Sequence, residues 1–220
     1  MKKIVFGFFV VLSQVAYSQT SKNFGDFSSV KAYDRINVTL VKSSENKVEI
    51  SGDDSDVEIV NKNGELKIRM IPTKIMQGDK VSVTVFYENL NEIQASQGSK
   101  ITSEDAVESG ILNITSNEGS ILNLKIEADI LNAKTNSGGI INISGTAKTQ
   151  DVLVNSGANF NGRNLKSEVT SVTTNAGGNA DVYASKTVTA TNRAGGNINV
   201  YGSPENRNTK NMLGGKINFR

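Results

Sequence analysis

The sequence contains no cysteine and no histidine, and these two absences exclude several classes of function. Without them the chain cannot form a thiol nucleophile, the commonest proton shuttle or the usual zinc-ligand sets. No disulfide can form either, so stability must come from packing and backbone pairing. The chain also lacks tryptophan, and no long stretch shows apolar residues at helical spacing. We therefore predict an all-β protein with no cofactor and no bound metal.

The first 18 residues are typical of a secretory signal peptide. Lys2 and Lys3 precede the apolar run Ile4–Leu12, and Ala16-Tyr17-Ser18 supplies small residues for cleavage after Ser18. The apolar run stops at residue 12, after nine residues, whereas a membrane-spanning helix needs about 20. We expect export to the periplasm, the cell surface or the medium, with no transmembrane segment in the mature chain.

Removal of the signal peptide would leave a formally neutral chain, with 22 basic residues against 22 acidic ones. Proteins that bind nucleic acid or anionic membranes depend on an excess of positive charge. We therefore predict no nucleic-acid partner. About 200 residues remain, which is enough for one or two domains.

From about Gly98 to its end the sequence repeats every 18 to 21 residues. Each copy has an Asn, one or two Gly and a strand that alternates apolar residues with Asn, as in Thr135–Ile143. Such a period predicts a solenoid of stacked coils, because one copy cannot bury its apolar face alone. We expect a signal peptide (1–18), an N-terminal β part (19–97) and a repeat solenoid (98–220).

The N-terminal β part alternates apolar and polar residues but lacks the period. Ile36–Leu40, Val48–Ile50 and Val81–Phe86 are predicted strands with one buried face. Asn63-Gly64 lies between two further strands and indicates a hairpin, because both residues tolerate the positive φ values of a two-residue turn.

Two columns of amide side chains follow from the repeat. Where the apolar residues of a strand point inward, the residues between them point outward, one above another in successive coils. We predict an outward column, the face ladder, of Asn123, Asn142, Asn161, Asp181, Asn199 and Asn218. We predict a second column at the bends, the corner ladder, of Asn117, Asn136, Asn155, Asn175 and Asn192. Stacked amides can bond to the turn backbone and to the next amide, so both ladders have a structural explanation.

One position beyond the face ladder, the sequence predicts a column of aromatic and basic side chains: Lys125, Ser144, Arg163, Tyr183, Tyr201 and Arg220. Amides, Tyr rings and Arg together can recognise sugar hydroxyls or a partner protein, although such residues also occur on ordinary exposed sheets. The candidate interaction face, called the polar strand face below, comprises the face ladder with Arg163, Tyr183 and Tyr201.

Catalytic residues are not evident. Hydrolysis of sugars by two carboxylates needs acids about 5 to 10 Å apart. In the face ladder only Asp181 is acidic, and the positions stacked on it are Asn161 and Asn199. Acids elsewhere in the repeats, such as Asp129 and Glu168, fall singly and are interpreted as solvated charges.

Two segments weakly resemble calcium sites. The acidic cluster 53–56 lacks the spaced ligands and closing Glu of a calcium loop, so a solvated turn is the preferred interpretation. Residues 177–182 match part of the calcium-binding nonapeptide of other solenoids but lack its third Gly. We predict no metal ligands in either.

A Gly-x-Ile-Asn element recurs as Gly139-Ile140-Ile141-Asn142, Gly196-Asn197-Ile198-Asn199 and Gly215-Lys216-Ile217-Asn218. With the opening strands around Ile36–Leu40 and Val48–Gly52, it resembles the head GIN domain family of auto-transporter adhesins of Bacteroidetes. The resemblance implies a bipartite β-solenoid, a single-stranded β-helix similar to those of pectin lyases. It implies a role in adhesion and assigns no catalytic residues.

Three functions remain open on this fold. The first is a non-enzymatic exported scaffold at the cell surface or in the periplasm, which uses the polar strand face to contact a glycan or a surface protein. The second is a polysaccharide lyase or hydrolase, for which Asp181 would be essential. The third is a structural spacer that binds no ligand. The sequence predicts no oligomeric state.

Overall fold

A computed structural model describes residues 20–51 and 54–220. The predicted signal peptide and Asp53 of the acidic cluster lie outside the described residues. The described residues form one 17-stranded sheet and three single-turn 3-10 helices, with no α-helix among them. Within these ranges, none of the helices has the length and hydropathy of a membrane-spanning segment.

The strands are β1 (Thr20–Lys22), β2 (Ser29–Ala32), β3 (Asn37–Lys42), β4 (Lys47–Ser51), β5 (Val57–Lys62), β6 (Glu65–Met70), β7 (Ser82–Tyr87), β8 (Glu92–Ala95), β9 (Lys100–Ser116), β10 (Ile121–Thr135), β11 (Ile140–Val154), β12 (Asn159–Thr174), β13 (Asn179–Tyr183), β14 (Thr187–Ala194), β15 (Asn197–Tyr201), β16 (Asn206–Leu213) and β17 (Lys216–Phe219). The 3-10 helices are Asp54–Asp56, Pro72–Lys74 and Gly78–Lys80.

From β9 onward the strands stack in parallel as the coils of a β-solenoid, which confirms the predicted fold class. Ile121 pairs with Ile140 in the next coil, and Ile140 pairs with Asn159 in the one after it. The first half of β12 pairs with β13 and its second half with β14. Each coil therefore has two strand flanks, joined on one side by a glycine turn and on the other by a bend.

The core lies between the two flanks of each coil. The predicted inward residues of the first flank, including Leu122, Ile141 and Ile198, are 0% exposed. Val152 and Val172 are 0% exposed on the second flank. Alternation of apolar and polar residues thus predicted correctly which side chains are buried.

Tight turns at one corner set the length of each coil. In the turn that starts at Asn136, Ser137 and Gly138 have φ values of 49° and 72°, and Gly139 N–H donates to Asn136 O at 2.9 Å. Two consecutive positive φ values define a type I′ turn. Gly139 has an ordinary φ, but a Cβ there would lie 2.4 Å from Ser116 O in the preceding coil.

The corner ladder runs along these turns. Asn136 Nδ2 donates to Asn117 Oδ1 at 2.7 Å, Asn155 Nδ2 donates to Asn136 Oδ1 at 2.7 Å, and Asn175 Nδ2 donates to Asn155 Oδ1 at 2.6 Å. The ladder ends at Asn175, so the prediction for Asn192 is wrong.

Backbone pairing sets Asn192 level with Thr174 of the preceding coil, one position before Asn175 of the corner ladder. The coil spans 18 residues from Thr174 to Asn192, one more than the 17 that separate Asn175 from Asn192, so Asn192 points into the core and is 0% exposed. Its Nδ2 donates to Gly196 O at 2.8 Å and Gly214 O at 3.1 Å, which satisfies the buried amide.

The N-terminal strands form coils whose order in space differs from their order in the chain. β3 pairs with both β7 and β9, and β2 pairs with both β6 and β8. The β2–β3 coil therefore lies between the β6–β7 coil and the β8–β9 coil. β5 and β4 pair antiparallel with β6 and β7 and cover the edges of the outermost coil.

Asn63 and Gly64, with φ values of 55° and 79°, turn between β5 and β6, so the predicted hairpin is confirmed. The boundary that the sequence indicates near residue 97 stays a prediction. Backbone pairing crosses it, because β3 pairs directly with β9.

The close approach at Gly139 predicts that substitution of Gly139 destabilises the protein more than substitution of its neighbour Gly138. Gly139→Ala places a methyl group against backbone of the preceding coil and should lower the free energy of unfolding by about 2–3 kcal/mol. Gly138→Asn is the control, because the space around Gly138 is open and Asn tolerates positive φ; its loss should stay below about 1 kcal/mol. Urea denaturation of both variants measures the difference, and equal losses would contradict the close-approach argument.

Candidate interaction face

The face ladder forms one column on the first flank of the solenoid. Backbone pairing sets Asn123 level with Asn142 and Asn142 level with Asn161. The same alignment continues through Asp181, Asn199 and Asn218. From Asn123 to Asn199 these side chains lie between buried neighbours and point outward, whereas the neighbours of Asn218, in the last coil, are half-buried.

Hydrogen bonds join successive members of this column in one direction. Asn142 Nδ2 donates to Asn123 Oδ1 at 2.8 Å, and Asn161 Nδ2 donates to Asn142 Oδ1 at 2.7 Å. Farther along, Asn199 Nδ2 donates to Asp181 Oδ1 at 2.8 Å. The amide of Asn218 then donates to Asn199 Oδ1 at 3.0 Å. Each of these amides thus donates to an oxygen atom on the preceding coil, and the column holds neighbouring coils in register.

The column is interrupted at one step, between Asn161 and Asp181. The two residues lie level in adjacent coils, but no hydrogen bond joins their side chains in the described part of the chain. An ionised carboxylate only accepts hydrogen bonds, so Asp181 cannot donate to Asn161 as an Asn would.

A further amide column is present that is not among the columns predicted from the sequence. Asn179 Nδ2 donates to Asn159 Oδ1 at 3.3 Å, and Asn197 Nδ2 donates to Asn179 Oδ1 at 2.9 Å. It lies two positions before the face ladder, at the start of the same strands. The 18- to 20-residue spacing of these three Asn residues would have been sufficient to find it.

Aromatic and basic side chains gather beside the interruption. Tyr183 and Tyr201 lie level in adjacent coils. The Arg163 guanidinium lies 5.4 Å from the centre of the Tyr201 ring, and Lys166 Nζ lies 3.9 Å from the centre of the Tyr183 ring. Both distances are typical of cation–π contacts.

The predicted column of aromatic and basic residues needs one correction. Ser144 pairs with Asn164 and not with Arg163, because β12 has an extra residue after Asn161. This bulge displaces Arg163 from the expected register. Its long side chain nevertheless reaches Tyr201, two coils away.

Two open grooves flank this region. One, of about 470 Å³, follows the face ladder and is lined by Asn123, Asn142, Asn161 and their neighbours. The other, of about 520 Å³, runs along the bend between the flanks and includes Asp129, Lys148, Glu168 and Tyr183. Tyr183 thus borders the second groove as well as the polar strand face.

The groove along the bend carries charges of alternating sign in successive coils. Lys148 Nζ lies 2.6 Å from Asp129 Oδ1, and Lys186 Nζ lies 2.6 Å from Glu168 Oε2. The hydrogen bond from Lys148 to Asp129 raises the pKa of the Lys148 ammonium above its ordinary value. Asp129 and Glu168 are exposed, as predicted, but they also form ion pairs with the next coil.

Nothing among the described residues forms a cluster of three or more His, Cys, Asp or Glu side chains that could hold a metal ion. In the acidic cluster, Asp54 forms an ion pair with Lys22 at 3.3 Å and Asp56 forms one with Lys74 at 3.5 Å. These two carboxylates therefore have cationic partners.

Comparisons with known proteins agree on the family and the fold. The family model described as "Putative auto-transporter adhesin, head GIN domain" matches residues 26–204. A crystal structure titled a "putative adhesin" from Bacteroides fragilis has a TM-score of 0.86 at 18% identity, covering 94% of this chain and 98% of that one. No curated protein sequence matches.

Two structures from Parabacteroides are also similar. A "putative adhesin" from Parabacteroides merdae has a TM-score of 0.72 at 19% identity, covering 92% of this chain and 95% of that one. A "Putative lipid binding protein" from Parabacteroides distasonis has a TM-score of 0.71 at 14% identity, covering 92% of this chain and 96% of that one. At these identities the similarity establishes a shared fold.

The hydrogen bonds of the face ladder predict a measurable effect on stability. Asn142→Ala removes the donor to Asn123 and the acceptor for Asn161, and should lower the free energy of unfolding by about 1–2 kcal/mol. Asn208→Ala, at an exposed position of β16, should change it by less than about 0.5 kcal/mol. Urea denaturation compares the two, and an Asn142→Ala loss no larger than that of the control would argue against a structural ladder.

Proposed function

The chain belongs to the head GIN domain family of auto-transporter adhesins, and on this premise we propose that it is an exported, non-enzymatic scaffold that binds glycans through its polar strand face. The family is one of adhesins, which act at cell surfaces. Export through the predicted signal peptide is part of this proposal.

The observation that carries the proposal is the group of Arg163, Tyr183 and Tyr201 beside a hydrogen-bonded amide column. Sugar-binding sites need polar groups at defined positions and an apolar surface for the ring. The amides are held by their neighbours, so little conformational entropy is lost when a ligand binds them. Tyr side chains supply a large contact area with few rotatable bonds.

An enzymatic function receives less support from the same face. The residues level with Asp181 in the adjacent coils are Asn161 and Asn199, and neither can transfer a proton in acid–base catalysis. The relatives named above are described as adhesins or as a lipid-binding protein, and none is described as an enzyme. A binding scaffold is therefore the preferred function.

The proposal predicts that the mature protein binds glycans and that the aromatic and basic group is required. On a glycan array, an Arg163→Ala/Tyr201→Ala double variant should lose at least about tenfold in affinity, since each side chain supplies about 1 kcal/mol or more of contact. Arg193→Ala is the matched control, because Arg193 is exposed near the glycine-turn corner of β14, at the opposite end of the coil. Equal binding by the double variant would contradict the proposed face.

The proposal also predicts that bound glycans stay intact. Incubation of the wild-type protein with each glycan that it binds should release no reducing ends and no unsaturated sugar products. Cleavage that disappears in Asp181→Ala would favour the polysaccharide-active enzyme instead.

A further inference from the structure

We propose that the interrupted step of the face ladder, between Asn161 and Asp181, is a subsite for the vicinal hydroxyl pair of a neutral sugar. This inference rests on the proposed function and assigns the ligand contact to one step of the polar strand face. It makes Asp181 a binding residue and gives it no role in cleavage.

The hydrogen bonds on either side of this step place an acceptor at each of its two ends. Asn161 Nδ2 lies towards the preceding coil, where one of its two N–H groups donates to Asn142 Oδ1 at 2.7 Å, so Oδ1 is the amide atom on the side of Asp181. Asp181 accepts through Oδ1 from Asn199 at 2.8 Å. Asn161 Oδ1 and the second carboxylate oxygen of Asp181 remain at the step, and neither can donate to the other.

Two acceptors at adjacent coils call for a ligand that brings two donors. Strands in neighbouring coils lie about 4.8 Å apart, so the two oxygens are on a scale that adjacent sugar hydroxyls can bridge. A hydrogen bond to a charged acceptor contributes more than one between neutral groups, which makes the carboxylate the stronger contact. Calcium fits this step poorly, because it takes six to eight oxygen ligands and the step supplies two.

The surroundings favour a neutral sugar. Among the described residues Asp181 forms no ion pair, and the nearby Arg163 guanidinium lies over the Tyr201 ring instead. The carboxylate is therefore available to hydroxyl donors and would repel an acidic sugar placed against it. Tyr183 lies two positions after Asp181 on β13, and Tyr201 lies level with it on β15 in the next coil, where the two rings can pack against the apolar face of a pyranose ring.

The decisive variant is Asp181→Asn. An amide at this position can donate to Asn161 Oδ1 and still accept from Asn199, so it closes the ladder. We expect the melting temperature to rise by about 2–4 °C, as for one added hydrogen bond in a protein of this size. Because the acceptor pair is then used internally, affinity for bound glycans should fall at least about tenfold.

The probes are immobilised neutral polysaccharides, namely mannan, dextran and xylan, before and after mild periodate oxidation. Periodate cleaves the carbon–carbon bond between vicinal hydroxyls and converts both to aldehydes, which removes the proposed donors. Binding of the wild-type protein to at least one native polysaccharide, and its loss after oxidation, is the expected result.

The matched control is Asn136→Asp, which interrupts the corner ladder in the same way but outside the polar strand face. It replaces the amide that donates to Asn117 Oδ1 at 2.7 Å. Its melting temperature should fall while its glycan binding stays at the wild-type level. Loss of binding in this variant would show that any interrupted ladder impairs binding, and would overturn the inference.

The remaining outcomes separate this inference from the proposed function. If Asp181→Asn binds as well as the wild type, or if its melting temperature does not rise, the subsite is wrong. If the Arg163→Ala/Tyr201→Ala variant nevertheless loses binding, the proposed function stands without it. Wild-type binding that survives periodate overturns the hydroxyl-pair contact alone. The absence of binding to all three neutral polysaccharides overturns the subsite, and the absence of binding on the glycan array as well overturns both proposals.

Discussion

The parallel register of successive coils is the constraint on which the rest of the structure depends. Each residue of a coil stacks on its counterpart in the next coil at about 4.8 Å, so a side chain must be compatible with a copy of itself or with a chosen partner. Asn meets this condition because its amide both donates and accepts. Charged residues meet it by alternating in sign, as Asp129 and Lys148 do along the bend.

The same constraint distinguishes architecture from a candidate site. Asn117, Asn136 and Asn155 satisfy one another, so their recurrence needs no functional explanation. Asp181 breaks the rule within the face ladder, and the aromatic and basic side chains gather beside that break. Local departures from a structural rule are where functional residues are expected, because the fold alone gives no reason for them.

Particular residues show which positions the sequence pattern predicts correctly and which it does not. The inward side chains, the hairpin at Asn63 and the alignment of the face ladder all follow from local periodicity and turn chemistry. The predicted position of Asn192 is wrong because its coil is one residue longer than the spacing from Asn175 to Asn192, and that of Arg163 is wrong because β12 carries a bulge. An error of one residue reverses the direction of a strand side chain, so small changes of spacing have large consequences.

The sequence by itself determined an all-β chain of stacked coils, since turn glycines and alternating apolar residues act within a single repeat. Only the tertiary structure decided that the β2–β3 coil lies between two later ones, and that Arg163 contacts Tyr201 two coils away. Those relations join residues far apart in the chain, and a repeat pattern carries no information on which strand edges meet or which long side chains converge. The break at Asp181 was visible in the sequence, but its meaning required the direction of the hydrogen bonds on either side of it.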